Sequence, residues 1–378
     1  VPKDQAGSMR GFLGLFTPGH APRRRLSTVA RACMAAVLVV AGIGGFLTWR
    51  LTSDANGAPG PPWFSGYVDV TVVPQHPFET PRGEGTENVT LAFVVAMAGR
   101  PCTPSWGSTY SLDDAKNSLK LEDRIAKLRS NGGGFAISFG GSANSELANS
   151  CQNAADLDSA YRAVVGRYDP KTIDFDIEGD NLADSGAWQR RAAAIASLQK
   201  ERSEEGRPLS VWLTLPVTPQ GLTDAGTSAV DQMLAAGVQL AGVNIMTMNY
   251  GSSRSPSQSM LDAGTSAARA THDQLSIIYQ RAGMSLDSEQ TWRKMGLTPM
   301  IGRNDLPGEI FGLDAARGLN SFATSKGIQR VSMWSLNRDR PCPQDSPGAS
   351  ASHVCSGIDQ GDQRFSDVLS AGFHAKLP

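Results

Sequence analysis

From residue 63 onward, short apolar runs alternate with longer stretches in which apolar residues recur at helical spacing. A parallel βα fold requires that rhythm. A strand buried on both faces reads as a brief apolar run, and each covering helix shows one apolar stripe. Eight runs stand out, at 67–73, 89–95, 134–140, 172–177, 209–215, 243–248, 298–301 and 331–336. The helical candidates between them are 112–130, 155–168, 185–202, 228–236, 258–283 and 314–326, with 363–373 placed to close the C-terminal end. In 112–130, Leu119, Leu121, Ile125 and Leu128 share one helical face. Eight strands alternating with helices predict a (β/α)8 TIM barrel of the α/β class. One unit breaks the rhythm: 74–87 is rich in Pro, Gly and charge, so the first strand is expected to lack its helix.

The N-terminal pattern is different. Residues 32–49 carry no charge and include Met34, Val37, Leu38, Val39, Val40, Ile43, Phe46 and Leu47. That length falls within the roughly 17–25 residues a bilayer needs. Arg23, Arg24, Arg25 and Arg31 precede it, which predicts a cytoplasmic N-terminus (1–31) and a translocated remainder. A transmembrane signal-anchor is favoured over a cleaved signal peptide, because the apolar stretch is long and no small-x-small site follows it. Residues 50–62, rich in Pro and Gly, read as a linker, and the catalytic barrel is expected over 63–378. The expected location is the extracellular face of the membrane, or outside the cell if the segment is cleaved. The chain begins at Val1 with Met9 shortly after, so its true start is open.

Composition narrows the class. Of 378 residues, 40% are hydrophobic and 19% charged, which suits a globular enzyme and excludes a disordered chain. A net charge of −1 offers no general attraction to nucleic acid. Cys33 lies in the apolar stretch. The other four cysteines, in an exported chain, make two disulfides possible. Three connectivities exist, and Cys102–Cys151 with Cys342–Cys355 is preferred, since each would join loops at one end of the fold. The five histidines are scattered and the cysteine spacings do not match zinc ligands, so no metal or cofactor is expected. A monomer is expected.

The chemistry concentrates in Lys171-Thr172-Ile173-Asp174-Phe175-Asp176-Ile177-Glu178-Gly179. Residues two apart on a strand share a face, so Asp174, Asp176 and Glu178 would project together while Phe175 and Ile177 turn toward the helices. Three aligned acids repel one another and cost stability, which makes the pattern an unusual one for a core strand. A calcium site or an acidic loop edge is the bland alternative. Glu178 falls at the strand's C-terminal end, where barrel enzymes place catalysis. Asp176 is expected to raise the pKa of Glu178 and so keep a general acid protonated near neutrality.

These residues resemble glycoside hydrolase family 18, the chitinases and endo-β-N-acetylglucosaminidases, and its bacterial and archaeal branch in particular. The family's Asp-x-x-Asp-x-Asp-x-Glu is matched at its last three acids, with Lys171 in place of the first and Ile177 where an aromatic is usual. Ser138-Phe139-Gly140-Gly141 is similar to the family's Ser-x-Gly-Gly on strand three. Met248-Asn249-Tyr250-Gly251 is similar to Met-x-Tyr-Asp on strand six, with Gly251 replacing the Asp. Trp334 matches the tryptophan that floors the sugar site. The run 298–302 with Glu309 and Phe311, and the run 102–107, resemble the same branch.

The resemblance implies hydrolysis of β-1,4-linked N-acetylglucosamine polymers, such as chitin, by a substrate-assisted retaining mechanism. Glu178 would be the acid/base, Asp176 would orient the acetamido group, Asp174 would support Asp176, and Tyr250 would donate to the acetamido oxygen. Trp334, Met248, Asn249 and Gly141 are the expected substrate contacts, with Trp106 as an outer platform. Two alternatives remain: an endo-β-N-acetylglucosaminidase on N-glycans, and a silent chitin-binding lectin on the same fold.

Overall fold

The structure is a computed structural model that describes residues 60–377 except 82, 84–85 and 344–350. Residues 1–31, the expected membrane span at 32–49 and most of the expected linker lie outside the described residues. Among the described residues, no helix is long and apolar enough to cross a membrane.

Eight parallel strands form the barrel. We number them β1 (Trp63–Phe64 and Gly66–Asp69, interrupted at Ser65), β2 (Asn88–Met97), β3 (Gly134–Gly140), β4 (Thr172–Asp176), β5 (Ser210–Thr218), β6 (Leu240–Met246), β7 (Met295–Thr298) and β8 (Arg330–Val331). Each pairs with its sequence neighbour, and β8 closes on β1 with Trp63 opposite Arg330 and Phe64 opposite Val331. Each of the eight predicted strands has a counterpart, but those expected at 298–301 and 331–336 overlap theirs only at Thr298 and Val331. Thr247–Tyr250 falls beyond the end of β6, and Trp334 beyond β8 bridges Met300.

The helices differ from expectation where local chemistry overrides periodicity. The predicted 112–130 helix is two, Leu112–Ser118 and Leu121–Ser130, because Lys120 between them is left-handed at φ 52°. The predicted 228–236 helix starts earlier, at Asp224, where the Thr223 side chain accepts from the Gly226 N–H and caps it. Between β1 and β2 the described residues contain no helix. Phe78 fills that space instead, buried beneath the Arg124 guanidinium at 4.2 Å, and Arg124 also pairs with Glu79 at 3.0 Å. Several short strands outside the barrel were not anticipated; the longest, Arg100–Trp106, folds back antiparallel on β2, with Trp106 opposite Val94.

The outward faces of the strands pack on the helices. Phe175 stacks on Phe139 at 5.2 Å and meets the Tyr161 edge at 5.6 Å, the orientation the alternation predicted. Inside the barrel, Trp63, Ala136, Trp212 and Leu377 form a separate cluster toward the N-terminal ends of the strands. This plug leaves the opposite, C-terminal end as the place for a site.

Both preferred disulfides are present, Cys102–Cys151 and Cys342–Cys355, spanning 49 and 13 residues. The longer one ties the strand added beside β2 to the loop after β3. By loop-closure entropy, replacing Cys102 and Cys151 by serine is expected to cost about 4 kcal/mol, against about 3 kcal/mol for the shorter loop. Chemical denaturation of the two double variants under non-reducing conditions checks the order.

Candidate active site

One polar side chain from each strand meets at a single level above the plug: Tyr67, Thr90, Ser138, Asp174, Thr214, Asn244, Thr298 and Arg330. Asp174 sits at its centre and is fully buried. Its Oδ1 accepts from Thr214 Oγ1 (2.7 Å) and Arg330 Nη1 (2.8 Å), and its Oδ2 from Ser138 Oγ (2.7 Å) and Tyr67 Oη (2.8 Å). With four donors, one of them a guanidinium, the charge on Asp174 is compensated.

Asp176, one step up the same face, has no such shell. It is 5% exposed, and its Oδ1 is buried without a hydrogen-bond partner among the described residues. Burial first, then the charges of Glu178 and Asp174, push its carboxyl well above the usual range, with Arg330 opposing. Glu178 lies two residues past the end of β4, still extended at φ −129° and ψ 166°, and precedes the short helix Gly179–Ala183 without its side chain capping it. It is half-buried, and its carboxyl is pushed up to about 7 by burial and then by Asp305. Asp176 was expected to do that raising. The mutual repulsion of the two acids falls on Asp176, whose carboxyl Glu178 helps to raise, and the charge that adds to burial at Glu178 is that of Asp305.

Beside the acids stand three aromatic rings. Phe93 and Trp334 stack at 5.4 Å with a 20° interplanar angle, and Tyr67 lies 6.0–6.1 Å from both. Trp334 keeps part of its face open, while Met246, Met248 and Met300 pack around it. The backbone is equally close-fitted. Gly140 has φ 105°, and a Cβ there would stand 2.0 Å from the Asp176 carbonyl oxygen. The Gly141 N–H donates to that oxygen at 2.8 Å, and a Cβ on Gly141 would strike the Phe93 ring at 2.8 Å. Gly140→Ala is expected to destabilise the domain by about 3 kcal/mol, from overpacking and a left-handed backbone together. Gly132→Ala, at φ 84° in open space, should lose only the conformational part, about 1 kcal/mol. Urea midpoints of the two variants test the difference.

No protein-family model matches the chain. It is 35% identical over 309 residues to the Escherichia coli K12 protein named "Probable bifunctional chitinase/lysozyme", covering 78% of this chain and 33% of that protein. It is 33% identical over 308 residues to endochitinase 11 of Metarhizium anisopliae, covering 78% of this chain and 57% of that one. The chain thus spans about a third and somewhat over half of these relatives. Among solved structures, the catalytic domain of a hyperthermophilic chitinase from Pyrococcus furiosus superposes with a TM-score of 0.71 at 27% identity, covering 85% of this chain and 98% of that one. A family 18 chitinase from Chromobacterium violaceum, at 14% identity and a TM-score of 0.57, shares the fold. In sequence and in fold, this domain is similar to chitinases and shares the fold of glycoside hydrolase family 18.

Seen as a family 18 site, the expected residues divide. Asp174, Asp176 and Glu178 form one row, and Trp334 and Met248 pack together beside Phe93, the ring that also confines Gly141. Gly141 serves the backbone of Asp176 with its N–H. Trp106 is no platform: it is fully buried, and its indole donates to Tyr168 Oη at 3.0 Å. Tyr250 is displaced from its expected role as well. Its hydroxyl is buried, has no hydrogen-bond partner among the described residues, and lies against Gly264 of the helix Met260–Arg281. In this conformation it is closed to an incoming sugar. Asn249 is committed to Asp305 through two hydrogen bonds. The family 18 departures also find their places. Lys171 is exposed just before β4, away from the acids. Gly251 is left-handed at φ 54° and donates its N–H to Glu309 Oε1 at 2.7 Å.

Sequence reading missed Tyr67, Phe93, Thr214, Asp305 and Arg330. Arg330 carried a signal: it lies two and four residues before Ser332 and Trp334, on the inward face by strand alternation. Asp305 carried none, since its position depends on how the turn after β7 folds.

Proposed function

We propose that this domain hydrolyses β-1,4-linked N-acetylglucosamine polymers, chitin or its oligosaccharides, with Glu178 as general acid and then base. The observation that carries this is the division of labour along β4 and just past its end: a compensated Asp174, an Asp176 carboxyl held well above its usual range by burial and its acidic neighbours, and a half-open Glu178 raised to about 7. The names of the E. coli, M. anisopliae and P. furiosus relatives support the substrate class.

The reaction runs in two steps. Glu178 gives its proton to the glycosidic oxygen as the C1–O bond breaks, and the acetamido carbonyl oxygen of the same sugar bonds to C1. Asp176 accepts from the acetamido N–H and holds that group in line for attack. Trp334 floors the sugar ring, since an aromatic face suits the apolar face of a pyranose. In the second step the Glu178 carboxylate takes a proton from water, whose oxygen bonds to C1 and opens the oxazolinium ring. Two attacks at C1 give net retention. The nucleophile belongs to the substrate, so a chitin oligosaccharide should be cleaved and its de-N-acetylated counterpart should not. Comparable cleavage of the two would contradict the proposal.

The same reading places the domain outside the cell, held by the uncharged stretch 32–49 behind Arg23, Arg24, Arg25 and Arg31. The two disulfides support an oxidising compartment. Protease accessibility on intact cells tests it: digestion of the domain supports display, and protection excludes it.

A further inference from the structure

Glu178 is held from two sides. On one, the Ile177 N–H donates to the Thr214 carbonyl at 3.1 Å, which fixes the chain just past β4 to β5. On the other, the chain turns at Gly179, left-handed at φ 53° with open space around it, into the helix Gly179–Ala183. A helix of one turn does not hold itself, because its nucleus costs more than its few bonds return. Its place therefore depends on contacts from outside. Leu182 is buried, and its carbonyl accepts from the Trp188 indole at 2.9 Å. Asn149, in the short helix Leu147–Ser150 after β3, donates from Nδ2 to the Asn181 carbonyl at 3.1 Å and to Asp184 Oδ2 at 3.4 Å. Asn181 returns the tie from its own Nδ2 to the Asn144 carbonyl at 3.2 Å.

Behind Asn149 stands an ion pair that the acid row does not touch. Arg191 Nη2 donates to Glu146 Oε2 at 2.6 Å, and both side chains are 0% exposed. The same Nη2 donates to Asn149 Oδ1 at 3.0 Å, which leaves the Asn149 amide NH2 to face Asn181. Glu146 also accepts from Tyr161 Oη at 2.5 Å and from the Ala148 N–H at 2.7 Å. The helix that carries Asn149 ends at Cys151, bonded to Cys102. We propose that Asn149 is a positioning residue for Glu178. It passes the fixed place of the Glu146–Arg191 pair to the backbone of Asn181, three residues beyond Glu178, and so holds the helix that begins directly after the acid. Desolvation offsets much of the attraction in a buried pair, so its use here is to set direction. The proposal rests on the hydrolase reading above for the role of Glu178.

Three variants test it. Asn149→Asp keeps an acceptor for Arg191 and loses the donor to Asn181, whereas Asn149→Ala loses both. Arg190→Ala is the control, since Arg190 Nη2 binds the same short helix at the Ala148 carbonyl, 2.8 Å away. Amide hydrogen exchange over 178–183 is expected to quicken about fivefold to tenfold in both Asn149 variants, the factor for one lost hydrogen bond, with β4 unmoved. On a chitin oligosaccharide, kcat is expected to fall about tenfold to a hundredfold with KM within about twofold, because misplacing a reacting group by about 1 Å costs that much. Arg190→Ala should keep the wild-type kcat and the wild-type exchange over 178–183. Asn149→Asp retains the bond to Arg191, so it decides the matter even where Asn149→Ala unfolds. Wild-type exchange and kcat in Asn149→Asp would overturn the proposal, and so would faster exchange with an unchanged kcat. An equal fall of kcat in Arg190→Ala would also overturn it, by making the general stability of the loop the cause. Hydrogen exchange reads the tie whether or not the domain turns over. Failure of the hydrolase reading would show separately, as Glu178→Gln leaving the rate unchanged.

Discussion

Glu178→Gln is expected to lower kcat at least a thousandfold on chitin oligosaccharides while leaving their binding within a few-fold of wild type. A positioned general acid contributes on the order of 10²–10⁴ in rate, and here one carboxyl serves both as acid and as base. Glutamine keeps the shape of the side chain and has no proton to give. The wild-type pH profile follows from the same group. Glu178 acts when protonated and is raised to about 7, so kcat/KM should fall as pH rises through about 7. The stability consequence has the same direction. The folded carboxyl holds its proton up to about 7 against about 4.5 in the unfolded chain, so its contribution is present below about 4.5 and lost as pH rises through about 7. Glu178→Gln removes that loss, and the variant should melt higher than wild type at pH 8 and alike at pH 4. Equal melting at both pH values would show that Glu178 is not held in a raised state.

The second large effect lies one level down. Arg330→Met is expected to destabilise the domain by about 3–5 kcal/mol, because it leaves Asp174 fully buried with hydroxyl donors and no cation. For a domain of this size, that corresponds to a thermal midpoint lower by roughly 5–15 °C. Arg330→Met with Asp174→Asn should recover much of the loss, since the buried charge is then absent. A drop of one or two degrees in the single variant would mean that the three hydroxyls suffice to hold Asp174.

The barrel was legible because its strands are buried on both faces and so write themselves as apolar runs. The acid row was legible because a period of two survives from sequence to strand. Tyr250 marks where that rule stops. The period-two argument put it on the face of Met248, yet β6 ends at Met246 and Asn249 turns left-handed, so the tyrosine swings to the outer helix. Trp106 failed for a related reason. Its segment looked like a loop over the site, whereas it pairs as a strand against β2 and buries its indole. The alternation put Arg330 on the inward face but could not name its partner, 156 residues distant, and Asp305 was silent because its partner is on another loop. Charge compensation inside a barrel is a property of closure, and one strand read alone does not contain it.

The most direct measurement is the anomeric configuration of the first product, read by 1H NMR within minutes of adding enzyme to a chitin oligosaccharide. The mechanism proposed here predicts that the β-anomer appears first and drifts to equilibrium only by mutarotation. An α-anomer formed first would mean a single displacement by water, and would contradict the substrate's acetamido group as nucleophile.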